Sequence, residues 1–177
     1  MRLFHVSEES DIKVFHPRLP KRNDLNPDIG LVWAINEECL PNFLTPRDCP
    51  RVTYHICKTA TEADIAAHIS SSSARHVVAI ESAWFERMKN TALYIYEFDS
   101  ESFVLQDETA GYYVSETSCT PVAKHMVTDL FAELFARGVE VRIVDNLFDL
   151  QGKIQKTSFA WSMCRMANAR PRQEGQP

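Results

Sequence analysis

TALYIYEFDSESFVLQDETAGYYVSETSCTPVAKHMV, Thr91 to Val127, decides the fold class. Its first segment is filled by Tyr94, Ile95, Tyr96 and Phe98, aromatic and β-branched residues that fit a pleated surface. SFVLQ (102–106), YYVS (112–115) and PVAKHMV (121–127) read as further strands. Strands come in runs, and helices are inserted irregularly. That order predicts an α+β fold with a mixed or mainly antiparallel sheet and a few flanking helices, not a strict βαβ series. The chain has only five glycines and lacks G-x-G-x-x-G and G-x-x-x-x-G-K-S/T, so phosphate recognition falls to side chains.

Upstream, RLFHV (2–6) and IKVF (12–15) read as short strands around a polar turn, and 17–30 as a long irregular loop rich in Pro, Asn and Asp. LVWAI (31–35) reads as a buried strand. RVTYHIC (51–57) has the alternation of a half-buried one. Thr59 and Glu62 have capping-box spacing for a helix through about His68. RHVVAIES (75–82) follows as a strand and SAWFERMK (82–89) as a short helix. Downstream, Thr128 and Asp129 cap a helix that Gly138 ends, and VEVRIV (139–144) is a strand. The segment 146–167 reads as the longest helix, with Leu147, Leu150, Ile154 and Trp161 on one face. The expected organisation is one globular domain, 1–167, and a flexible polar tail, 168–177.

At 177 residues, with 45% apolar and 24% charged side chains, the chain has ordinary globular composition. The net charge is −5, and residues 59–127 hold four basic against ten acidic side chains. No basic stripe exists to attract a nucleic-acid backbone, and the acidic middle repels one. No apolar run has the length of a membrane span, and the N-terminal apolar stretch is too short for a signal peptide. Five cysteines without C-x-x-C spacing read as reduced thiols of a cytoplasmic protein.

PRDCPR, Pro46 to Arg51, carries the densest chemistry. The prolines stiffen the backbone, and Arg47 and Arg51 can converge on one anion or on Asp48, because a planar guanidinium suits carboxylate and phosphate. Cys49 as a nucleophile needs a base or neighbouring positive charge. Three readings stand: a salt-bridged corner, an anion site and a catalytic thiol. In the N-terminal stretch, His5 and Ser7 share a strand face, and His16 and Arg18 add a second basic pair. Glu81, Glu97 and Asp107–Glu108 lack the spacing of a hard-cation site, so no metal is expected. Glu97 through Glu108 reads as a solvated edge.

HVSEESDIKVFHPR, VWAI, PNFLTPRDCPRVTY, AIESAWFERM, YIYEF and LQDETAGYYVSETSCTP together resemble an uncharacterised bacterial family, a domain of unknown function, over about residues 1 to 165. At the level of pattern alone, the chain is also similar to ADP-ribosyltransferase-like folds. That second resemblance implies an NAD- or ADP-ribose-handling enzyme with NAD as substrate. His5 would hold a ribose, Glu116 the reacting ribose, and Trp33 or Tyr54 would stack on nicotinamide. Ser7, Arg18, Arg47 and Arg51 would border the site. The alternative is a non-catalytic module that binds an anion or a protein through the Arg47/Arg51 corner. Either way the expected partner is a small anionic or nucleotide ligand.

Overall fold

The computed structural model describes residues 1–20 and 25–172. Residues 21–24 of the expected loop and 173–177 of the expected tail lie outside the described residues. In chain order the strands and helices are β1 (Arg2–Ser7), β2 (Val32–Asn36), β3 (Arg51–His55), α1 (Glu62–His68), β4 (His76–Glu81), α2 (Phe85–Asn90), β5 (Leu93–Asp99), β6 (Val104–Asp107), β7 (Tyr112–Ser115), β8 (Ala123–Val127), α3 (Leu130–Ala136), β9 (Val139–Val144), α4 (Leu147–Ile154) and β10 (Ala160–Cys164). The architecture is α+β. The chain forms two compact units, Met1–Phe43 with Ala92–Val127 and Leu44–Thr91 with Thr128–Pro177.

The first unit is a six-stranded antiparallel sheet in the order β6-β7-β2-β1-β5-β8. Strand alternation puts Leu3, His5 and Ser7 on one face, opposite Phe98, Tyr96 and Tyr94 respectively. Leu3, Val32, Ala34, Tyr96 and Phe98 form the core of that face, with Phe15, Phe103 and Cys119 packed onto it. The expected strand 12–15 is reduced to a single bridge between Phe15 and Cys119. The cause is Tyr96. Its hydroxyl donates to the Glu9 carbonyl at 2.7 Å and accepts from Ile12 N–H at 3.2 Å, so a side chain holds this segment where a ladder would otherwise do so. Phe15 meanwhile drops its ring to 5.1 Å from both Tyr96 and Phe98. Gly111 makes the β6–β7 turn at φ 66°, and a Cβ there would stand 2.6 Å from Asn36 Oδ1.

In the second unit the order is β10-β3-β4-β9, with β4 and β9 parallel and the other pairs antiparallel. Val52, Tyr54, Val77 and Ala79 bury one face of the sheet together with Leu147, Ile154 and Phe159. Each longer helix starts at a side-chain cap: Thr61 for α1, Asp129 for α3 and Asn146 for α4, each worth about 1 kcal/mol. The α1 cap is Thr61, not Thr59, because Thr59 Oγ1 is occupied with the Ser158 carbonyl.

The long helix expected over 146–167 is corrected: it stops at Ile154, and Ala160–Cys164 is a strand on β3. Thr157 Oγ1 binds the Ile154 carbonyl at 2.7 Å, and Ser158 N–H is taken by Asp64 Oδ2 at 2.8 Å, which turns the chain out of the helix. Beyond the turn, Phe159 is buried in the core of the second unit and Met163 packs against it, while Trp161, expected on the apolar helix face, is exposed. Of the expected tail, Asn168 and Arg170 are anchored: Asn168 Nδ2 donates to the Asp48 carbonyl at 2.7 Å, and Arg170 N–H donates to both Glu81 carboxylate oxygens at 3.1 Å.

Candidate functional site

The residues singled out in the sequence divide between the units. His5, Ser7, Arg18, Trp33 and Glu116 belong to the first, and Arg47, Arg51 and Tyr54 to the second.

In the first unit His5 Nδ1 donates to the Trp33 carbonyl at 2.9 Å, and its ring stands 4.8 Å from that of Phe15. Burial holds the imidazole below its ordinary pKa, and the Arg18 charge pushes the same way against the Trp33 bond. His5 is thus favoured in its neutral form. Arg18 itself is exposed, bridged through its backbone to Leu31. Ser7 Oγ accepts from Glu9 N–H at 3.1 Å. Phe4 faces Ile35 across the β1–β2 pair, so Trp33 shares their face and His5 lies on the other. The Trp33 ring packs edge-on against Tyr112 at 5.4 Å. His5 therefore meets the Trp33 backbone and not its indole. Glu116 is exposed, one residue past the end of β7.

Tyr54 is a core residue. Its ring is fully buried against Phe159 at 5.2 Å, and its hydroxyl donates to the His68 carbonyl at 2.8 Å. Burial pushes that hydroxyl up to about 12.

PRDCPR forms a tight turn closed by Cys49 N–H on the Pro46 carbonyl at 3.1 Å, with Asp48 in left-handed backbone at φ 66°. Arg47 and Asp48 are exposed, whereas Arg51 is 6% exposed and donates from Nη1 to the Cys49 carbonyl at 3.0 Å. Asp48 engages Arg165 Nε at 3.5 Å. Cys49 is fully buried, and burial drives its thiol to about 12 against the opposing charges of Arg51 and Arg87. A thiol in that state supplies almost no thiolate at neutral pH. Glu81 is equally enclosed, and its carboxylate is spent on the backbone N–H groups of Leu147 and Arg170. Thr45, just before the turn, has a buried hydroxyl without a hydrogen-bond partner among the described residues.

Two features escaped the sequence reading. Arg165 reaches the corner from the segment after β10, a proximity that a separation of more than a hundred residues conceals. His16 Nδ1 lies 2.9 Å from Ser118 Oγ. His16 stands out in the sequence as a basic residue, but nothing local points to Ser118.

Among the described residues, no group of three or more His, Cys, Asp and Glu could hold a metal ion, and no helix is long and apolar enough to cross a membrane. Neither the curated proteins nor the solved structures hold a match to the chain. One family does match, over residues 4–169, and the chain belongs to it: the family of unknown function DUF6886.

Proposed function

We propose that the protein is a binding module for a small anion, or for a carboxylate or phosphate group of a partner, at the Arg47–Arg51 corner. The corner itself makes and breaks no bonds. The observation that carries this reading is the arginine content of the corner: exposed Arg47, buried Arg51, and Arg165, whose Nε meets Asp48 Oδ1 at 3.5 Å. Arg51 is fixed by the Cys49 carbonyl, so a bound anion does not have to immobilise that side chain. The orphaned Thr45 hydroxyl adds a donor one residue away from the turn. Cys49, held protonated, contributes packing only.

A second reading is NAD or ADP-ribose handling by His5 and Glu116. It is favoured by the Trp33 carbonyl, which fixes the His5 ring through Nδ1 and commits that nitrogen as the donor. It lacks its aromatic partner, since the Trp33 indole occupies the opposite sheet face and Tyr54 lies in the core of the second unit.

Calorimetric titration with phosphate and with tricarballylate at low and high salt tests the first reading. Binding should weaken with salt, as exposed charges are screened, and should fall about tenfold or more in Arg47→Ala, the size of effect expected for one lost charged hydrogen bond. Equal binding by wild type and Arg47→Ala would remove the corner from the account.

A further inference from the structure

We propose that Ser118 and His16 form a nucleophile–base pair that hydrolyses small acyl esters at a cavity in the first unit. The pair is built on a rigid element. Phe15 and Cys119 exchange both backbone hydrogen bonds, at 2.8 and 2.9 Å, and both are buried in the core. The residues flanking that bridge, His16 and Ser118, therefore stand directly opposite each other, with Nδ1 and Oγ 2.9 Å apart. That spacing is the one general-base activation of a hydroxyl needs. Both side chains are exposed, so a substrate can reach them.

Ser118 also lines a cavity of about 210 Å³, together with Phe98, Asp99, Glu101, Phe103 and Cys119. Phe98 and Phe103, both buried in the core, give the cavity an apolar wall on its inner side, against which a short acyl group can rest. The two carboxylates disfavour anionic substrates, which selects neutral or cationic esters.

With its own proton on Nε2, His16 accepts the Ser118 proton at Nδ1 as Oγ adds to the ester carbonyl carbon. The carbon–oxygen bond to the leaving group then breaks, and the departing alkoxide takes the proton from Nδ1. Water adds to the acyl-serine, giving one proton to Nδ1, and the carboxylic acid leaves as Oγ recovers that proton. The site shares no residue with the arginine corner, so either proposal can fail without the other.

The test is labelling of the full chain with an alkyl fluorophosphonate, which phosphonylates an activated serine with loss of fluoride, followed by peptide mapping. It is paired with p-nitrophenyl acetate hydrolysis. Wild type should carry one phosphonyl group on Ser118, and Ser118→Ala none. His16→Gln keeps a polar group beside Ser118 without a base, and it should slow both labelling and hydrolysis about 100-fold, the ordinary contribution of a general base. Matching melting curves establish that the variants fold. Wild type unlabelled at Ser118, or hydrolysis that survives in Ser118→Ala, or rates unchanged in His16→Gln, would each overturn the proposal.

Discussion

Asp48 and Arg165 face each other at 3.5 Å, Oδ1 to Nε, and each holds left-handed backbone, at φ 66° and φ 55°. Left-handed backbone costs an ordinary residue about 1–2 kcal/mol because Cβ crowds the following carbonyl oxygen. The pairing, with Asn168 on the Asp48 carbonyl, thus joins the arginine corner to the segment after β10 at two strained points.

Replacing Asp48 separates strain from charge. Asp48→Gly relieves about 1 kcal/mol of strain and loses an exposed ion pair worth about 0–1 kcal/mol. Its unfolding free energy should stay close to wild type. Asp48→Ala loses the pair and keeps the strain, so it should be destabilised by about 1 kcal/mol relative to the glycine variant. Urea unfolding of the three proteins measures this order, and an alanine variant as stable as the glycine one would contradict it.

Gly111 and Gly138 share a positive φ, at 66° and 69°, but differ in their surroundings. A Cβ on Gly111 meets Asn36 Oδ1 at 2.6 Å and Cys39 Sγ at 2.7 Å, whereas on Gly138 the nearest atom is Ser73 O at 3.7 Å. Gly138→Ala should cost about 1 kcal/mol from backbone alone, and Gly111→Ala should cost clearly more, about 2–4 kcal/mol with overpacking added. Similar losses in denaturant titration would refute the contrast.

His55 and His76 stack in the sheet of the second unit, with ring centroids 5.0 Å apart. Burial, and then the His55 charge, holds His76 down at about 3, below the ordinary imidazole value of 6.5. The native state therefore binds fewer protons than the unfolded chain between those values. Stability is fully present above about pH 6.5 and is lost as pH falls toward 3, by at most about 1.4 kcal/mol per pH unit from this group. His76→Phe keeps a stacked ring without the titration and should flatten the fall in melting temperature between pH 7 and pH 5. An unchanged slope in that variant would place the acid sensitivity elsewhere.

The thiols should react in a set order. Burial pushes Cys39 and Cys49 up to about 12. Cys57 is partly exposed, and a hydrogen bond with the Thr59 hydroxyl, 3.1 Å away, is the leading cause that lowers it. Iodoacetamide at neutral pH should alkylate Cys57 first and leave Cys39 and Cys49 intact until denaturant is added. Early alkylation of Cys49, read by peptide mapping, would reverse its assignment as packing.

Much of the fold is legible because alternation and caps are local. TALYIYEF, YYVS and VEVRIV carry their strands in their own residues, and Asp129 with Gly138 brackets α3. IKVF and 146–167 mislead because distant groups decide them: the Tyr96 hydroxyl claims the backbone near Ile12, and Asp64 claims Ser158 where the helical pattern runs on. The site was less legible for the same reason. Local sequence shows Arg47 and Arg51 but neither Arg165 beside Asp48 nor Ser118 beside His16. It also leaves the sheet face of Trp33 relative to His5 undefined until the β1–β2 register is known.

The anion site at the Arg47–Arg51 corner is tested most directly by a melting-temperature comparison with phosphate, NAD and ADP-ribose. A ligand that binds only the native state raises the melting temperature according to its concentration over its dissociation constant. With an anion site at this corner, phosphate should raise the melting temperature, and the rise should be lost in Arg47→Ala and retained in His5→Ala. A rise with NAD or ADP-ribose that disappears in His5→Ala and survives in Arg47→Ala would contradict it.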